Sequence, residues 1–210
     1  MKKIILIFVI YFLQFLNLSS NEHKLEEIIK GLNNPWSLSF MTEEDVLITE
    51  KSGSLLKINL TNKKINKFTH NLNILEDGQG GLLEVLFKNN EIYVSYSENR
   101  GGGKSSTSVA KALITNSNLN FKNIFRAEPP INSGYHFGSR LVIKDNHLFI
   151  TAGERGKGMI AQDARKHPGS IIRINLDGSI PNNNPKFENK KNWLPEIYQI
   201  GVRNPQGMAL

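Results

Sequence analysis

Cysteine is absent from the 210-residue chain. Its absence excludes disulfide bonds, cysteine-ligated zinc sites and thiol chemistry, so the fold must be held by packing and hydrogen bonds. The hydrophobic fraction of 39% and the charged fraction of 21% are ordinary for a globular protein and exclude a disordered chain.

A basic cluster and base-stacking aromatic residues are also lacking. The formal net charge is +7, but the lysines are scattered among asparagine and glutamate residues instead of gathered on one segment. Aromatic residues make up 9% of the chain and do not alternate with basic ones. This pattern argues against nucleic acid as a partner.

Long apolar runs are confined to the N-terminus. Lys2 and Lys3 precede residues 4–18, in which Gln14 and Asn17 are the polar interruptions. A positive start followed by an apolar segment of this length predicts a secretory signal. The sequence therefore predicts export, with the periplasm as the location.

The processing of this segment has two interpretations. Ser19 and Ser20 are small enough to flank a cleavage site, but Leu18 would be a poor residue at the third position from that site. An uncleaved N-terminal anchor is therefore the alternative. Contact with the membrane is expected only in that second case. The predicted domains are a signal peptide or anchor over 1–20 and a folded domain over 21–210.

Helical periodicity is rare after residue 24. Short β-branched runs recur instead, broken by asparagine, aspartate, lysine and glycine, and this pattern predicts an all-β domain. Residues 25–32 fit either a helical turn or a first strand.

A repeat organises the β runs. Four segments share a strand-like opening: 35–40, 81–87, 138–143 and 205–210. The first three are each followed by a polar turn and a second β run, which predicts repeated hairpins. Equivalent positions at 40, 87, 143 and 210 are 47, 56 and 67 residues apart.

These spacings fit β-propeller blades, which take about 40 to 50 residues each, with loop insertions of growing length. The prediction is an all-β partial propeller of about three blades plus the first strand of a fourth. Residues 205–210 would be that strand, so the repeat predicts a chain truncated at its C-terminus. A β-sandwich is the alternative fold.

The repeat also sorts the polar residues. The first strand of each blade lies nearest the central channel, so residues just before equivalent first strands converge on one face. Gln79, His136 and Arg203-Asn204 occupy such positions. The second strands return to the same face, where they bring Glu50 and Glu154.

His136 is the candidate general base, because a neutral imidazole can take a hydroxyl proton near physiological pH. Glu154 lies at the return end of the same hairpin, where a carboxylate would orient the imidazole. The structural alternatives are a hydrogen-bonded core histidine and a salt bridge from Glu154 to Arg140 or Arg155.

Four further residues are candidates for ligand contacts. The forked guanidinium of Arg203 suits a carboxylate or a polarised carbonyl oxygen, and Asn204 adds an amide beside it. Gln79 and Gln162 offer both donor and acceptor atoms, as sugar hydroxyls require. Bracing of loops is the alternative role for all four. The other histidines, at 23, 70, 147 and 167, show no ligand spacing and are predicted to be surface residues.

Six segments together resemble the soluble quinoprotein aldose dehydrogenases, also called glucose/sorbosone dehydrogenases. They are GLNNPWSLSF (31–40), DGQGGLLEV (77–85), HFGSRLVI (136–143), TAGERG (151–156), AQDARKHPGSIIRINLDGSIPNNNP (161–185) and IGVRNPQGMA (200–209). The resemblance implies a six-bladed propeller that uses pyrroloquinoline quinone, with calcium, to oxidise aldoses at C1 to lactones. An external acceptor then takes the electrons.

The resemblance also implies roles for individual residues. His136 corresponds to the base that takes the C1 hydroxyl proton while hydride passes to the quinone, and Glu154 to the acidic residue that holds it. Arg203 resembles the residue that polarises the reacting quinone carbonyl, with Asn204 beside it against the cofactor. The two glutamines, at 79 and 162, match positions that line the sugar and cofactor site.

The sequence departs from the family pattern in two respects. Glu154 is one methylene longer than the family's aspartate, which predicts a small shift of the histidine or the backbone. The calcium ligands implied by the family lie beyond Leu210, so no metal ligand is assigned to this chain. A propeller that binds glycan or protein without catalysis, and an inactive truncated fragment, are the alternative functions.

Overall fold

The protein is described by a computed structural model over residues 24–185 and 192–210. These residues hold thirteen strands and one 3-10 helix. In chain order the elements are β1 Pro35–Phe40, β2 Asp45–Glu50, β3 Leu55–Asn59, β4 Ile65–His70, β5 Leu82–Lys88, β6 Glu91–Asn99, β7 Ser105–Leu113, β8 Asn118–Leu119, β9 Lys122–Arg126, β10 Gly138–Lys144, β11 His147–Ala152, the 3-10 helix Gly158–Gln162, β12 Ser170–Asn175 and β13 Ile197–Ile200.

The N-terminal predictions meet the structure only in part. The predicted signal or anchor over 1–20 lies outside the described residues. Within them, no helix has the length and apolar character needed to cross a membrane. The chain divides after Lys30, and every strand of the described residues belongs to the unit Gly31–Leu210. Residues 25–32 form neither of the predicted elements, helix or strand.

The strands form three successive sheets. The first is β1-β2-β3-β4 with the short β8 added parallel to β4, the second is β5-β6-β7-β9, and the third is β10-β11-β12-β13. Their first strands lie side by side, with β5 between β1 and β10. Successive sheets that meet at their first strands are propeller blades, so the predicted partial propeller is confirmed.

The core lies in two layers between the sheets. Ile92 and Val94 of β6 pack in one layer with Leu47 of the first sheet. Tyr93, which points to the opposite face of the same strand, packs with Leu148 of the third sheet. The middle sheet is covered on both faces, and this explains why all residues of β6 from Ile92 to Glu98 are buried.

Local sequence sets the hairpin that opens each sheet. In the second and third sheets the turns are Asn89-Asn90 and Asp145-Asn146, and all four residues have positive φ, as two-residue hairpin turns require. Each of the three hairpins has a register shift near the start of its first strand: between Pro35 and Ser37, between Leu82 and Val85, and between Gly138 and Leu141. Bulges of this kind redirect side chains, here at the shared mouth of the hairpins.

The predicted first strand of a fourth blade is not a strand. Residues 205–210 run without a backbone ladder among the described residues. The carbonyl of Pro205 accepts a hydrogen bond from the Thr151 hydroxyl at 2.9 Å, and that of Gln206 accepts one from Arg140 Nε at 2.6 Å. Side chains of the third sheet therefore hold this segment where ladder bonds were expected.

One face of β1 is exposed and apolar. The hydroxyl of Ser39 faces the second sheet, where it accepts a hydrogen bond from the N–H of Phe87 at 3.0 Å. Leu38 and Phe40 alternate with Ser39 and are 57% and 59% exposed. Two large apolar side chains on the free face of an outer sheet form a surface for association.

We expect the 210-residue polypeptide, when produced by itself, to self-associate through this face. The double substitution Leu38→Ser and Phe40→Ser should reduce the association, which sedimentation velocity at several concentrations measures. Leu113→Ser removes an apolar side chain of similar exposure, 54%, from the end of β7 and is the control. A chain that stays monomeric at all concentrations would contradict the prediction.

Candidate active site at the mouth of the third hairpin

Three parts of the chain meet at the mouth of the β10–β11 hairpin. The N–H of His136 donates to Gln79 Oε1 at 2.8 Å, and His136 Nδ1 hydrogen-bonds to Glu154 Oε1. The N–H of Glu154 donates to the carbonyl oxygen of Arg203 at 2.8 Å. The structure thus brings together four of the residues that the repeat predicted to share one face.

His136 sits in a tightly constrained backbone. Its φ is 52°, a left-handed conformation that is uncommon for residues other than glycine. Its carbonyl lies so close to Gly153 that a Cβ on that glycine would overlap the carbonyl oxygen. Strained backbone held by its surroundings is frequent at functional sites, and Gly153 is what allows this approach.

Glu154 is ionised and fixes the imidazole. Burial raises the pKa of Glu154, but hydrogen bonds from His136 and from the N–H of Gly158, at 2.6 Å, outweigh it and hold the pKa below its usual 4.5. An ionised carboxylate is an acceptor only, so His136 Nδ1 carries the proton and donates. His136 Nε2 is therefore the acceptor nitrogen, and no group among the described residues hydrogen-bonds to it.

His167 shows what a structural histidine looks like in this protein. It is 5% exposed and packs edge-on against Phe125, with ring centroids 5.1 Å apart, so the predicted surface position was wrong. Its Nδ1 accepts the N–H of Glu128 at 2.8 Å, and its Nε2 bonds to Glu196 Oε1 at 2.8 Å. Both ring nitrogens are occupied, which leaves none to accept a substrate proton.

Arg203 and Asn204 combine a bracing contact with free polar groups. The Oδ1 atom of Asn204 accepts the N–H of Gly138 at 3.0 Å, which ties the segment to the start of β10. The guanidinium of Arg203 is exposed and has no hydrogen-bond or ion-pair partner among the described residues. A bracing contact, the alternative to the predicted cofactor contact, is thus observed for Asn204, while the Arg203 side chain is available to a ligand.

The two glutamines differ in position. Gln79 is exposed, and its Oε1 is used by the N–H of His136, so its amide NH₂ is the group left for a ligand. Gln162 is exposed at the end of the 3-10 helix, where its Nε2 lies beside Gly201. No contact joins Gln162 to His136 in the described part of the chain.

Other predicted pairings have different partners. Glu50 accepts the N–H of Asn33 at 2.7 Å and does not join the His136 cluster. Arg140 pairs with Glu84 at 2.5 Å, not with Glu154. These contacts remove the salt-bridge alternative for Glu154 that involved Arg140.

Arg155 has a role that the sequence analysis missed. The sequence offers Arg155 only as a salt-bridge partner of Glu154, but its guanidinium is buried and donates to carbonyl groups and a hydroxyl. The only signal in the sequence is its position directly after Glu154.

A metal site is not formed by the side chains described. No group of three or more histidine, aspartate or glutamate residues within 24–185 and 192–210 could hold a metal ion. Calcium therefore stays a prediction from the family resemblance.

Comparison with known proteins places the chain in a family. The family model for glucose/sorbosone dehydrogenase matches residues 32–210. The chain belongs to this family. Aldose sugar dehydrogenase YliI of Escherichia coli (strain K12) is 34% identical over 196 residues, which are 89% of this chain and 53% of that protein.

Further glucose/sorbosone dehydrogenase relatives agree in sequence and fold. Quinoprotein glucose dehydrogenase B of Acinetobacter calcoaceticus is 28% identical over 93% of this chain and 48% of that protein. The crystal structure of the soluble aldose sugar dehydrogenase of Escherichia coli in the apo-form aligns with a TM-score of 0.79 at 33% identity, over 85% of this chain and 54% of that one. The chain spans about half the length of the curated relatives it matches. The family resemblance drawn from the motifs is confirmed.

We expect Gly153→Ala to displace the His136 loop. The new Cβ overlaps the His136 carbonyl, so the free energy of unfolding should fall by about 1–3 kcal/mol, as for other overpacked sites. Urea denaturation measures the change. Gly207→Ala is the control, since a Cβ there meets nothing within 4 Å; equal stability of the two variants would contradict the prediction.

The lowered pKa of Glu154 predicts a pH-dependent contribution to stability. Because the folded pKa lies below the usual 4.5, this contribution is complete above about pH 4.5 and is lost as the pH falls through the folded value. The stability gap between the wild type and Glu154→Gln should therefore narrow on acidification.

Urea denaturation from about pH 7 to about pH 3 tests this narrowing. Glu43→Gln removes an exposed carboxylate that has no partner among the described residues, and it is the control. If the difference in unfolding free energy between wild type and Glu154→Gln stays constant over this pH range, Glu154 does not have a lowered pKa in the folded protein.

Proposed function

We propose that this protein is an oxidoreductase that oxidises an aldose at C1 to the lactone, with pyrroloquinoline quinone as cofactor. One observation carries the proposal: an ionised Glu154 holds the Nδ1–H of His136, and the Nε2 of the same ring is left as a free acceptor. The names of the relatives, an aldose sugar dehydrogenase and a quinoprotein glucose dehydrogenase, support the same reaction class.

His136 is proposed to act as the general base. Its Nε2 takes the proton of the C1 hydroxyl, while Nδ1–H remains hydrogen-bonded to Glu154. The carboxylate stabilises the imidazolium that forms and keeps the ring in one orientation. The His136 side chain is 16% exposed, so it is reachable from the mouth yet shielded from bulk water.

The residues present fit a quinone that carries carboxylates. Arg203 presents an unpaired, exposed guanidinium, and the Asn204 amide NH₂ is left over once its oxygen has bonded to Gly138. A forked cation and an amide donor are suited to carboxylate and carbonyl oxygens. When bound, the quinone would accept the hydride that leaves C1.

The amides of Gln79 and Gln162 are proposed to bind sugar hydroxyls. Both glutamines are exposed, and the amide NH₂ of Gln79 is free for a ligand because only its oxygen bonds to the His136 N–H. An external electron acceptor, a periplasmic location and bound calcium complete the proposal. These rest on the N-terminal pattern over 1–20 and on the family.

Replacement of the base tests the mechanism in the full-length protein. We expect His136→Ala to lower aldose-dependent dye reduction by about 100-fold or more, since loss of a general base has effects of this size. The assay reconstitutes the apo protein with the quinone and calcium and follows initial rates over a range of sugar concentrations.

His147→Ala is the matched control, because His147 lies on β11 at the far end of the hairpin and contacts Arg173. Wild-type rates in His136→Ala would remove this residue from the mechanism. Sugar binding without turnover in the wild-type protein would favour the non-catalytic binding function instead.

A further inference from the structure

We infer that Arg155 is a positioning residue for His136: its guanidinium holds the backbone before the histidine and the side chain of the residue after it, while Glu154 holds the imidazole ring. This inference rests on the proposed function, in which His136 is the base. It concerns a residue that touches neither the reacting atoms nor the proposed ligands.

The Arg155 side chain contacts the loop that carries His136. Arg155 Nε donates to the carbonyl of Tyr135 at 2.9 Å, and Nη2 donates to the carbonyl of Ser133. The guanidinium carbon lies 3.7 Å from the centre of the Phe137 ring. Both chain neighbours of His136 are thus held by one side chain.

The Arg155 side chain is also anchored in a different sheet. Arg155 Nη1 donates to the carbonyl of Ser105 at 2.8 Å, and Nη2 donates to the Ser105 hydroxyl at 3.0 Å. Ser105 is the first residue of β7 in the second sheet. The guanidinium therefore links the loop that carries His136 to a rigid strand of the neighbouring blade.

The backbone of Arg155 joins the same arrangement. Its N–H donates to the carbonyl of His136 at 3.3 Å, and its φ of 58° is left-handed, as is that of His136. A backbone hydrogen bond thus joins the two residues in this conformation, His136 and Arg155. Glu154 and Arg155, consecutive in sequence, thus fix the ring and the backbone of one residue.

The chemistry of the site explains why arginine is needed. Arg155 is 2% exposed, and burial lowers its pKa to about 10, so it stays charged at neutral pH. No carboxylate among the described residues hydrogen-bonds to its guanidinium. A charge desolvated for neutral acceptors is costly. The guanidinium makes four hydrogen bonds from three nitrogens, whereas a lysine ammonium has three donors on a single nitrogen.

Arg155→Lys tests the inference in the full-length protein. The variant keeps the charge but loses the fork, so we expect kcat to fall by about 10- to 100-fold while KM stays nearly unchanged, as for small misplacements of a catalytic group. Arg126→Lys is the control, because Arg126 lies on β9, the outer strand of the second sheet, and bonds to Glu98 of β6.

A second readout is independent of turnover. The imidazole ¹⁵N signals of His136, identified by their loss in His136→Gln, report which ring nitrogen carries the proton. Wild type should show a protonated Nδ1 and a free Nε2, and Arg155→Lys should shift both signals toward a mixture of tautomers. If Arg155→Lys does not fold, Ser105→Ala removes one anchor with little change in volume and should shift the same signals less.

The inference would be overturned if folded Arg155→Lys showed unchanged His136 signals and an unchanged kcat. If Arg155→Lys does not fold, unchanged His136 signals in Ser105→Ala would overturn it. A lower melting temperature alone, with the signals and kcat intact, would make Arg155 a purely structural residue. Absence of aldose-dependent turnover in the wild-type protein would refute the proposed function, and activity retained in His136→Ala would remove His136 from the mechanism. In both cases the ¹⁵N signals would still test whether Arg155 positions the ring.

Discussion

The hydrogen bond between His136 and Glu154 is the interaction on which the rest of the site depends. It joins the loop before β10 to the segment after β11, and it can form because an antiparallel hairpin returns its second strand to the end where the first began. The ionised carboxylate also decides which imidazole nitrogen carries the proton. One contact therefore sets both the geometry of the mouth and the proton chemistry available there.

The segment 203–206 lies against this mouth through contacts other than a strand ladder. Each of its four residues accepts one hydrogen bond from the third hairpin and the segment that follows it. The donors, in order, are the N–H of Glu154, the N–H of Gly138, the hydroxyl of Thr151 and Nε of Arg140. The acceptors are carbonyls and one side-chain amide oxygen, so none of these four contacts uses the guanidinium of Arg203.

Sequence reasoning succeeded where the determinants are local or periodic. The hairpins follow from apolar runs joined by residues such as Asn89-Asn90 that adopt positive φ readily. Convergence of the loop before β5 with the loop before β10 follows from the repeat, whatever the detailed contacts are. Sequence reasoning failed for residues 205–210, where a strand-like sequence is held by hydrogen bonds from side chains and not by a strand ladder. It also failed for Arg155, because most of its partners are backbone carbonyls, which every residue carries.

The two histidine–glutamate pairs show the limit of such reasoning most clearly. His136 and His167 each bond to a glutamate. The repeat distinguishes their positions in the chain, but it does not show which ring nitrogens are occupied. The difference is one backbone N–H, that of Glu128, which occupies the second nitrogen of His167 and has no counterpart at His136 among the described residues. A histidine becomes a candidate base through the acceptor atom that its surroundings leave unused, and that property belongs to three-dimensional packing. A histidine with a carboxylate partner is necessary for this general-base chemistry, but the pair alone does not identify the base.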